Sequence, residues 1–425
     1  MHFLENTQWL GFDMDHTLVR YNNEELYKLV FHCFQKYLVE IAGFDRSVYE
    51  IPLKMEYTRK GLVLDEHLGN MLELDTSFRV IHACHGYHVL TDEEIQRAYG
   101  QKTIVPFGED KEHYWCLVTY FEASVGPLYV GLIDMIDRLH PTNIEEMYKK
   151  LGESLAASFA HNFRDFESGW YFPVFKESVG TFIQKSPEMS TWLRENRKSG
   201  TVRTFLLTNS FPQYTQLLMS YAYGDDWMDL FDIVGTTARK PAFYEDARVD
   251  EQVADYAFRI NPQGEVCIVD EHPKIIALNG CYDKPSYAGM SAAFGCKPEQ
   301  VMYCGDHLWG DVVHCGAAGG WETIYVMEEL ESSHHEEMLG PFGQCPMLGN
   351  WQVVEVNSPT VTLTPTPEAV AGRELRVSGR FLCEMLRRKA PQFAIPHMER
   401  FPSILPHHVQ SNEQLGRYIL PLSES

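Results

Sequence analysis

Two aspartates, Asp13 and Asp15, stand one residue apart in the stretch WLGFDMDHTLVRYN, where a short apolar run stops and a Thr-bearing turn begins. A carboxylate can attack phosphorus and form an aspartyl-phosphate, which divides a difficult hydrolysis into two easier steps. A second carboxyl group two positions later can protonate the leaving ester oxygen and then accept a proton from the attacking water. Asp13 suits the first task and Asp15 the second, with Thr17 holding the turn. Alone, such a pair in an acidic chain is a weak signal, because most sit on solvated turns.

The rest of the chain strengthens it. In an open parallel sheet, reactive groups gather at the C-terminal ends of strands. Three later strand-like runs end on reactive side chains: Thr208 and Asn209 after FLL, Lys240 beyond FDIVGTTAR, and Asp306 with Asp311 after VMYC. An anionic nucleophile and an anionic phosphate repel, so a hard divalent cation with oxygen ligands is needed between them. Asp13, the backbone carbonyl of Asp15 and Asp306 suit that role, with Asp311 acting through a metal-bound water. The non-bridging phosphate oxygens need donors, which the Thr208 hydroxyl, its neighbouring amides and the Lys240 ammonium can supply. Each residue also has a plain reading: Thr208 and Asn209 as caps of the helix opening near Pro212, Lys240 as a surface lysine, Asp311 as a helix N-terminal acid. Their joint occurrence in this chain order favours the catalytic reading.

With 425 residues, 44% hydrophobic and 13% aromatic, the chain has material for a large core in one large domain or two to three ordinary ones. The formal charge of −23 is dispersed, and no Lys/Arg run offers a face for polymeric nucleic acid or an anionic membrane. A small phosphorylated substrate stays compatible, because local cations and a bound metal act where the net charge does not. The ten cysteines show no CxxC and no zinc-like spacing, and read as reduced, mostly buried thiols. MHFLENTQW has no basic flank, and no run approaches the roughly 20 apolar residues of a membrane span. The expectation is a soluble, cytoplasmic protein, with a homo-oligomeric state left open.

Helical spacing of Leu26, Leu29, Val30, Phe34, Tyr37, Leu38 and Ile41 puts an amphipathic helix directly after the Asp-bearing strand. Lys60 to Ala98 reads as short strands and hairpins, and Tyr114 to Lys198 as mostly helical. Strand and helix then alternate again: TVRTFLLTNS, QYTQLLMSYAYG, LFDIVGTTARK, SYAGMSAAFGC, EQVMYCGDH and WETIYVMEEL. This predicts an α/β fold with a mostly parallel sheet covered on both faces. Beyond Glu331, SSHHEEM, a proline-bearing NSPTVTLTPTPEA and a helix-like ELRVSGRFLCEMLRRK read as a loosely packed, partly irregular appendage.

The set Asp-x-Asp-x-Thr, a strand-ending Thr, a Lys and a paired Asp motif resembles the haloacid dehalogenase-like superfamily of phosphohydrolases. GFDMDHTL, KGLVLDEHLGN, ACHG, FLLTNS, FDIV with ARKP, GDHLWGD and EEL resemble the cytosolic purine 5'-nucleotidase family over roughly Trp9 to Leu330. TLVRYN, RAYG and the segment HNFRDFESGWYFPVFKESVGTFIQKSPEMSTWLRENRKSG look closest to the branch of 5'-nucleotidase domain-containing proteins. The resemblance implies a Rossmann-like core of about residues 1–40 and 195–335, an inserted region at 41–194 with short β segments and a helical cap, and an appendage at 336–425. It implies Asp13 as nucleophile, Asp15 as acid/base, Thr208, Asn209 and Lys240 at the phosphate, and Asp13, Asp15, Asp306 and Asp311 around Mg2+. It also implies that a cap helix meets the nucleotide through an Arg and an Asp four residues apart. Here Asp137 fills the second position and Ile133 the first, so a purine preference does not carry over unless Arg138 substitutes. His16 stands where the purine enzymes carry Tyr, with lining and structural roles both open.

The function implied is a Mg2+-dependent phosphomonoester hydrolase of the 5'-nucleotidase type, acting on nucleoside monophosphates or similar small phosphates. Phosphotransfer to a nucleoside acceptor is the enzymatic alternative. A catalytically weak interaction protein that keeps the fold is the alternative of another class.

Overall fold

The computed structural model describes residues 6–330, apart from 76–77, 107–109, 111, 140–141, 165 and 250–251, together with 341, 351–356, 360–365, 393–395 and 398. The apolar run Trp9–Phe12 is buried at every position because it forms the inside of a parallel sheet, with a neighbour on each side. From one edge the nine strands are Val266–Asp270, Tyr256–Ile260, Gly280–Asp283, Ile233–Thr236, Arg203–Leu207, Trp9–Phe12, Val301–Gly305, Glu322–Val326 and Phe393–Ile395. From Gly280–Asp283 onward all are parallel, and the first two form an antiparallel edge. The architecture is α/β and Rossmann-like.

Register decides what this sheet can do. Phe12 pairs level with Leu206 on one side and with Cys304 on the other. The three strands therefore end side by side, and the residues just beyond them emerge at one edge. Gly11 makes the close pairing feasible: a Cβ there would sit 2.1 Å from Cζ of Phe205, whose ring stacks on Tyr303 at 6.0 Å.

Between Trp9–Phe12 and Arg203–Leu207 the chain makes the helix Asn23–Glu40, a five-stranded antiparallel sheet and several further helices. That sheet runs His88–Val89, Val80–His85, Asn70–Leu74, Val63–Asp65, Tyr114–Cys116. Asn23–Glu40 buries Leu26, Val30, Phe34 and Leu38 and packs against Ile144–Phe163, with Phe34 and Phe159 ring centroids 6.3 Å apart. The start of the stretch expected to be helical is different: Tyr114–Cys116 is a strand, because its backbone pairs with Val63–Asp65.

The strand–helix alternation stands at Arg203–Leu207, Pro212–Tyr223, Ile233–Thr236, Tyr287–Phe294, Val301–Gly305 and Glu322–Val326. The edge hairpin and Gly280–Asp283 are additions to what the sequence predicts. The hairpin leaves Ile268 and Val269 exposed, so its pattern lacks the buried face by which a strand is read. The region expected to be an appendage contributes more than irregular chain. Trp351–Val356 pairs with Thr360–Pro365, and Phe393–Ile395 extends the core sheet beside Glu322–Val326. SSHHEEM and the helix-like ELRVSGRFLCEMLRRK lie outside the described residues. No helix among the described residues is long and apolar enough to cross a membrane.

Replacing Gly11 by Ala forces Phe205 from its place in the central layer. Urea titration should show an unfolding free energy lower by about 1–3 kcal/mol, the usual cost of overpacking a core. Unchanged stability would contradict this account of the packing.

Candidate active site

The level strand ends bring the reactive residues together. Asp13 follows Phe12, Thr208 follows Leu207 and Asp306 follows Gly305, and all three are buried. Lys240 arrives from the loop after Ile233–Thr236. The Lys240 ammonium lies 3.1 Å from Oδ1 of Asp13 and 2.7 Å from Oδ1 of Asp311. It also donates to the Tyr303 hydroxyl at 2.6 Å, and Tyr303 in turn donates to the Leu207 carbonyl. Asp311 returns to the same point on the π-type turn Leu308–Val313. Gly305 permits that approach, since a Cβ there would lie 2.4 Å from Oδ2 of Asp311.

Asp13, Asp306 and Asp311 each offer a carboxylate oxygen within 4.8 Å of the others. Burial pushes the Asp13 carboxyl up to about 6; Lys240 opposes the shift and Asp311 adds to it. Burial also raises Asp306 well above the ordinary carboxylate range, partly offset by Lys60. For Lys240 burial opposes the charge, but Asp13 and Asp311 outweigh it and raise the ammonium above its usual value. Three buried carboxylates thus converge, two of them in direct contact with the Lys240 ammonium. A hard divalent cation matches both the oxygen donors and the charge deficit.

Asp15 is held by two hydroxyls, with Ser210 donating to Oδ2 at 2.6 Å and Tyr21 to Oδ1 at 2.5 Å. Burial raises its carboxyl, Asp13 adds to the rise, and the two hydroxyl contacts moderate it. Tyr21, Tyr214 and Tyr171 continue as a chain of hydroxyls 3.0 Å apart. The Thr17 amide meets the Met14 carbonyl at 3.3 Å, while its buried hydroxyl has no hydrogen-bond partner among the described residues, so the turn is held through backbone. Asn209 serves Lys240 directly. Its Oδ1 accepts from the Lys240 amide at 2.7 Å and its Nδ2 donates to the Lys240 carbonyl at 3.0 Å, so its amide is committed to placing the lysine.

Above these groups lies a cavity of about 350 Å³. Its floor includes Asp13, Asp15, Thr208, Asn209, Lys240, Asp306 and Asp311, and its far wall is aromatic, with Phe121, Phe159, Phe163, Tyr171 and Phe172. Glu122 and Thr119 add a polar edge, fixed by a capping box in which Glu122 accepts from the Thr119 amide at 3.0 Å and donates its own amide to the Thr119 hydroxyl at 3.0 Å. His16 lines the cavity with its ring between Tyr21 and Tyr120, at centroid distances of 4.4 and 4.3 Å. His307 also lines it; burial drives its imidazole down to about 4.

Asp137 is not brought to this cavity. It sits near the far end of the helix Val125–Arg138, where His85 lies 2.7 Å from Oδ2 and the Tyr148 hydroxyl 2.5 Å from Oδ1. Glu122 precedes that helix, and a rise of about 1.5 Å per residue along Val125–Arg138 carries Asp137 toward the end remote from Glu122. Arg138 pairs with Asp134 on the same helix and Ile133 is buried in the core, so neither supplies the expected substrate contact.

The sequence profile of the 5' nucleotidase family matches residues 3–338. The chain belongs to the 5' nucleotidase family. Human 5'-nucleotidase domain-containing protein 1 is 30% identical over 343 residues, covering 76% of this chain and 71% of that protein. The Bos taurus protein of the same name is 28% identical over 363 residues, covering 78% and 76%. Among solved structures, L-2-haloacid dehalogenase from Xanthobacter autotrophicus aligns with 94% of this chain and 98% of its own at 12% identity and a TM-score of 0.27, a likeness on which nothing here rests. Family membership makes the chain an enzyme of the phosphatase class.

Several cavity or supporting residues escape a reading of motifs. Ser210 closes FLLTNS and Tyr21 lies within TLVRYN, so membership of a quoted motif was their only mark. Tyr303, Glu122 and Tyr214 carry no local mark, because sheet order and the inserted region's packing bring them in. Lys240→Met should leave Asp13 and Asp311 buried without their cation. In metal-free buffer the variant is expected to lose about 3–5 kcal/mol of stability, the usual result of removing one partner of a buried ion pair. Chemical denaturation measures it, and a change within a few tenths of a kcal/mol would show that Lys240 does not balance the carboxylates.

Proposed function

We propose that this family member is a Mg2+-dependent phosphomonoester hydrolase of nucleoside monophosphates or similar small phosphates, working through a phosphorylated Asp13. The observation that carries the reading is the set of three converging buried carboxylates, two of them paired with the Lys240 ammonium, at the floor of an aromatic-walled cavity. The phosphoryl group faces Asp13, with the Lys240 ammonium and the Thr208 hydroxyl as donors for its non-bridging oxygens. Asp13 attacks phosphorus as the ester P–O bond breaks, and Asp15 gives its proton to the departing oxygen. Water then attacks the acyl phosphate, Asp15 takes a proton from it, and Asp13 is released with inorganic phosphate. The raised Asp15 carboxyl fits a group that must carry a proton before the first step. Asp13, Asp306, Asp311 and the Asp15 carbonyl would hold Mg2+, whose chemistry is to offset the charge of phosphate and nucleophile.

The cavity supports the substrate class. At about 350 Å³ it falls in the range of roughly 300–1,000 Å³ usual for small-molecule sites. Its aromatic wall suits a planar leaving group such as a nucleoside. The proposal includes a cytoplasmic setting, since the eight described cysteines are all free thiols.

Phosphate release, with and without Mg2+, over nucleoside monophosphates and sugar phosphates tests this reading in the wild type and in Asp13→Asn. Metal-dependent turnover is expected in the wild type, with a loss of several orders of magnitude in the variant. Wild-type inactivity on every substrate, or an Asp13→Asn enzyme that keeps its rate, would overturn it.

A further inference from the structure

His307 lies between the two acidic positions of GDHLWGD, and the catalytic steps above do not use it. Its Nδ1 accepts from the backbone amides of Trp309 at 3.2 Å and Gly310 at 3.1 Å. A ring nitrogen that accepts two N–H bonds carries no hydrogen of its own, so the ring's single proton belongs on Nε2. The two amides therefore select one tautomer. His307 is partly buried, lines the cavity, and its Nε2 has no acceptor among the described residues. Held in one orientation on a residue that lines the cavity, this donor is open to an acceptor on whatever enters.

We infer that His307 is a substrate-contacting specificity residue, whose Nε2–H donates to an oxygen of the leaving group beyond the phosphoryl. Asp306 and Asp311 flank it on the phosphoryl side and Glu122 stands at the cavity's polar edge, so His307 meets the part of the ligand between phosphate and aromatic wall. In a nucleoside monophosphate that part is the pentose, and its hydroxyls are the acceptors. This rests on the phosphatase reading above and adds the group by which the leaving portion is recognised.

Two substitutions separate this role from that of holding the loop. His307→Asn keeps an acceptor where Nδ1 lies and removes the Nε2–H. His307→Gln places an amide donor near Nε2 and gives up the acceptor. The substrates are adenosine and uridine 5'-monophosphates, their 2',3'-dideoxy counterparts, and phenyl phosphate, which has no pentose. For His307→Asn we expect the wild-type melting temperature and unchanged kcat/KM on phenyl phosphate. On the ribonucleotides kcat/KM should fall about three- to tenfold, mainly through KM, which is the usual scale of one lost neutral hydrogen bond. The wild type should favour ribose over dideoxyribose by a similar factor, and His307→Asn should not. His307→Gln should melt lower yet keep the ribose preference. Equal losses on phenyl phosphate, or none on the ribonucleotides, would overturn the inference. A wild type active on phenyl phosphate but indifferent to the pentose hydroxyls would overturn it and leave the phosphatase reading standing. A wild type that hydrolyses none of these esters would bring down both.

Discussion

Concentrating carboxylates out of water is costly unless positive charge sits among them, and in this protein Lys240 is the cation in direct contact. Much of the surrounding structure keeps that ammonium in place. Asn209 grips the lysine's amide and carbonyl, and Tyr303, from the centre of the neighbouring strand, accepts from its Nζ. Gly305 leaves the space into which Asp311 folds back. The level pairing of Trp9–Phe12 with its two neighbours then sets where Asp13 and Asp306 stand relative to the lysine. The remaining imbalance of charge is what makes a divalent cation chemically apt at this point.

The inserted region meets this floor through buried polar and aromatic contacts. Lys60 lies 3.4 Å from Glu329, just past the strand Glu322–Val326, and 3.8 Å from the ring centroid of Tyr120, whose hydroxyl also donates to Glu329. Tyr120 is at the same time one of the two rings flanking His16, directly after Asp13 and Asp15. The junction thus joins the inserted region's aromatic wall to the Asp13 loop through a few side chains. The aromatic wall and the placement of the carboxylates are consequently linked by packing. His307 extends that logic, because the amides that shape the Leu308–Val313 turn also choose which of its nitrogens bears a proton.

The chemically distinctive residues were legible because they follow apolar runs of strand length. Asp13, Thr208, Lys240, Asp306 and Asp311 could be singled out that way, and the structure gathers all five about one cavity. Asp137 misled because a helical position inferred by alignment says nothing of which end of the helix faces the ligand; its partners proved to be His85 and Tyr148. Asn209 was legible as a member of the site, yet its part in placing Lys240 needed coordinates. Phe393–Ile395 was unreadable as core because a short edge strand takes its identity from the strand it pairs with.

Side-chain type and hydrophobic periodicity are local properties, so the set of reactive side chains and their order along the chain could be read without coordinates. The α/β alternation could be read for the same reason. The level strand ends, the pairing of Lys240 with two carboxylates, the hydroxyl grip on Asp15 and the tautomer of His307 came from folding. Each of these depends on register or on contacts between residues far apart in the chain, such as the 195 positions between Asp15 and Ser210. Side chains acquire protonation states and partners from neighbours in space, and those neighbours are supplied by folding.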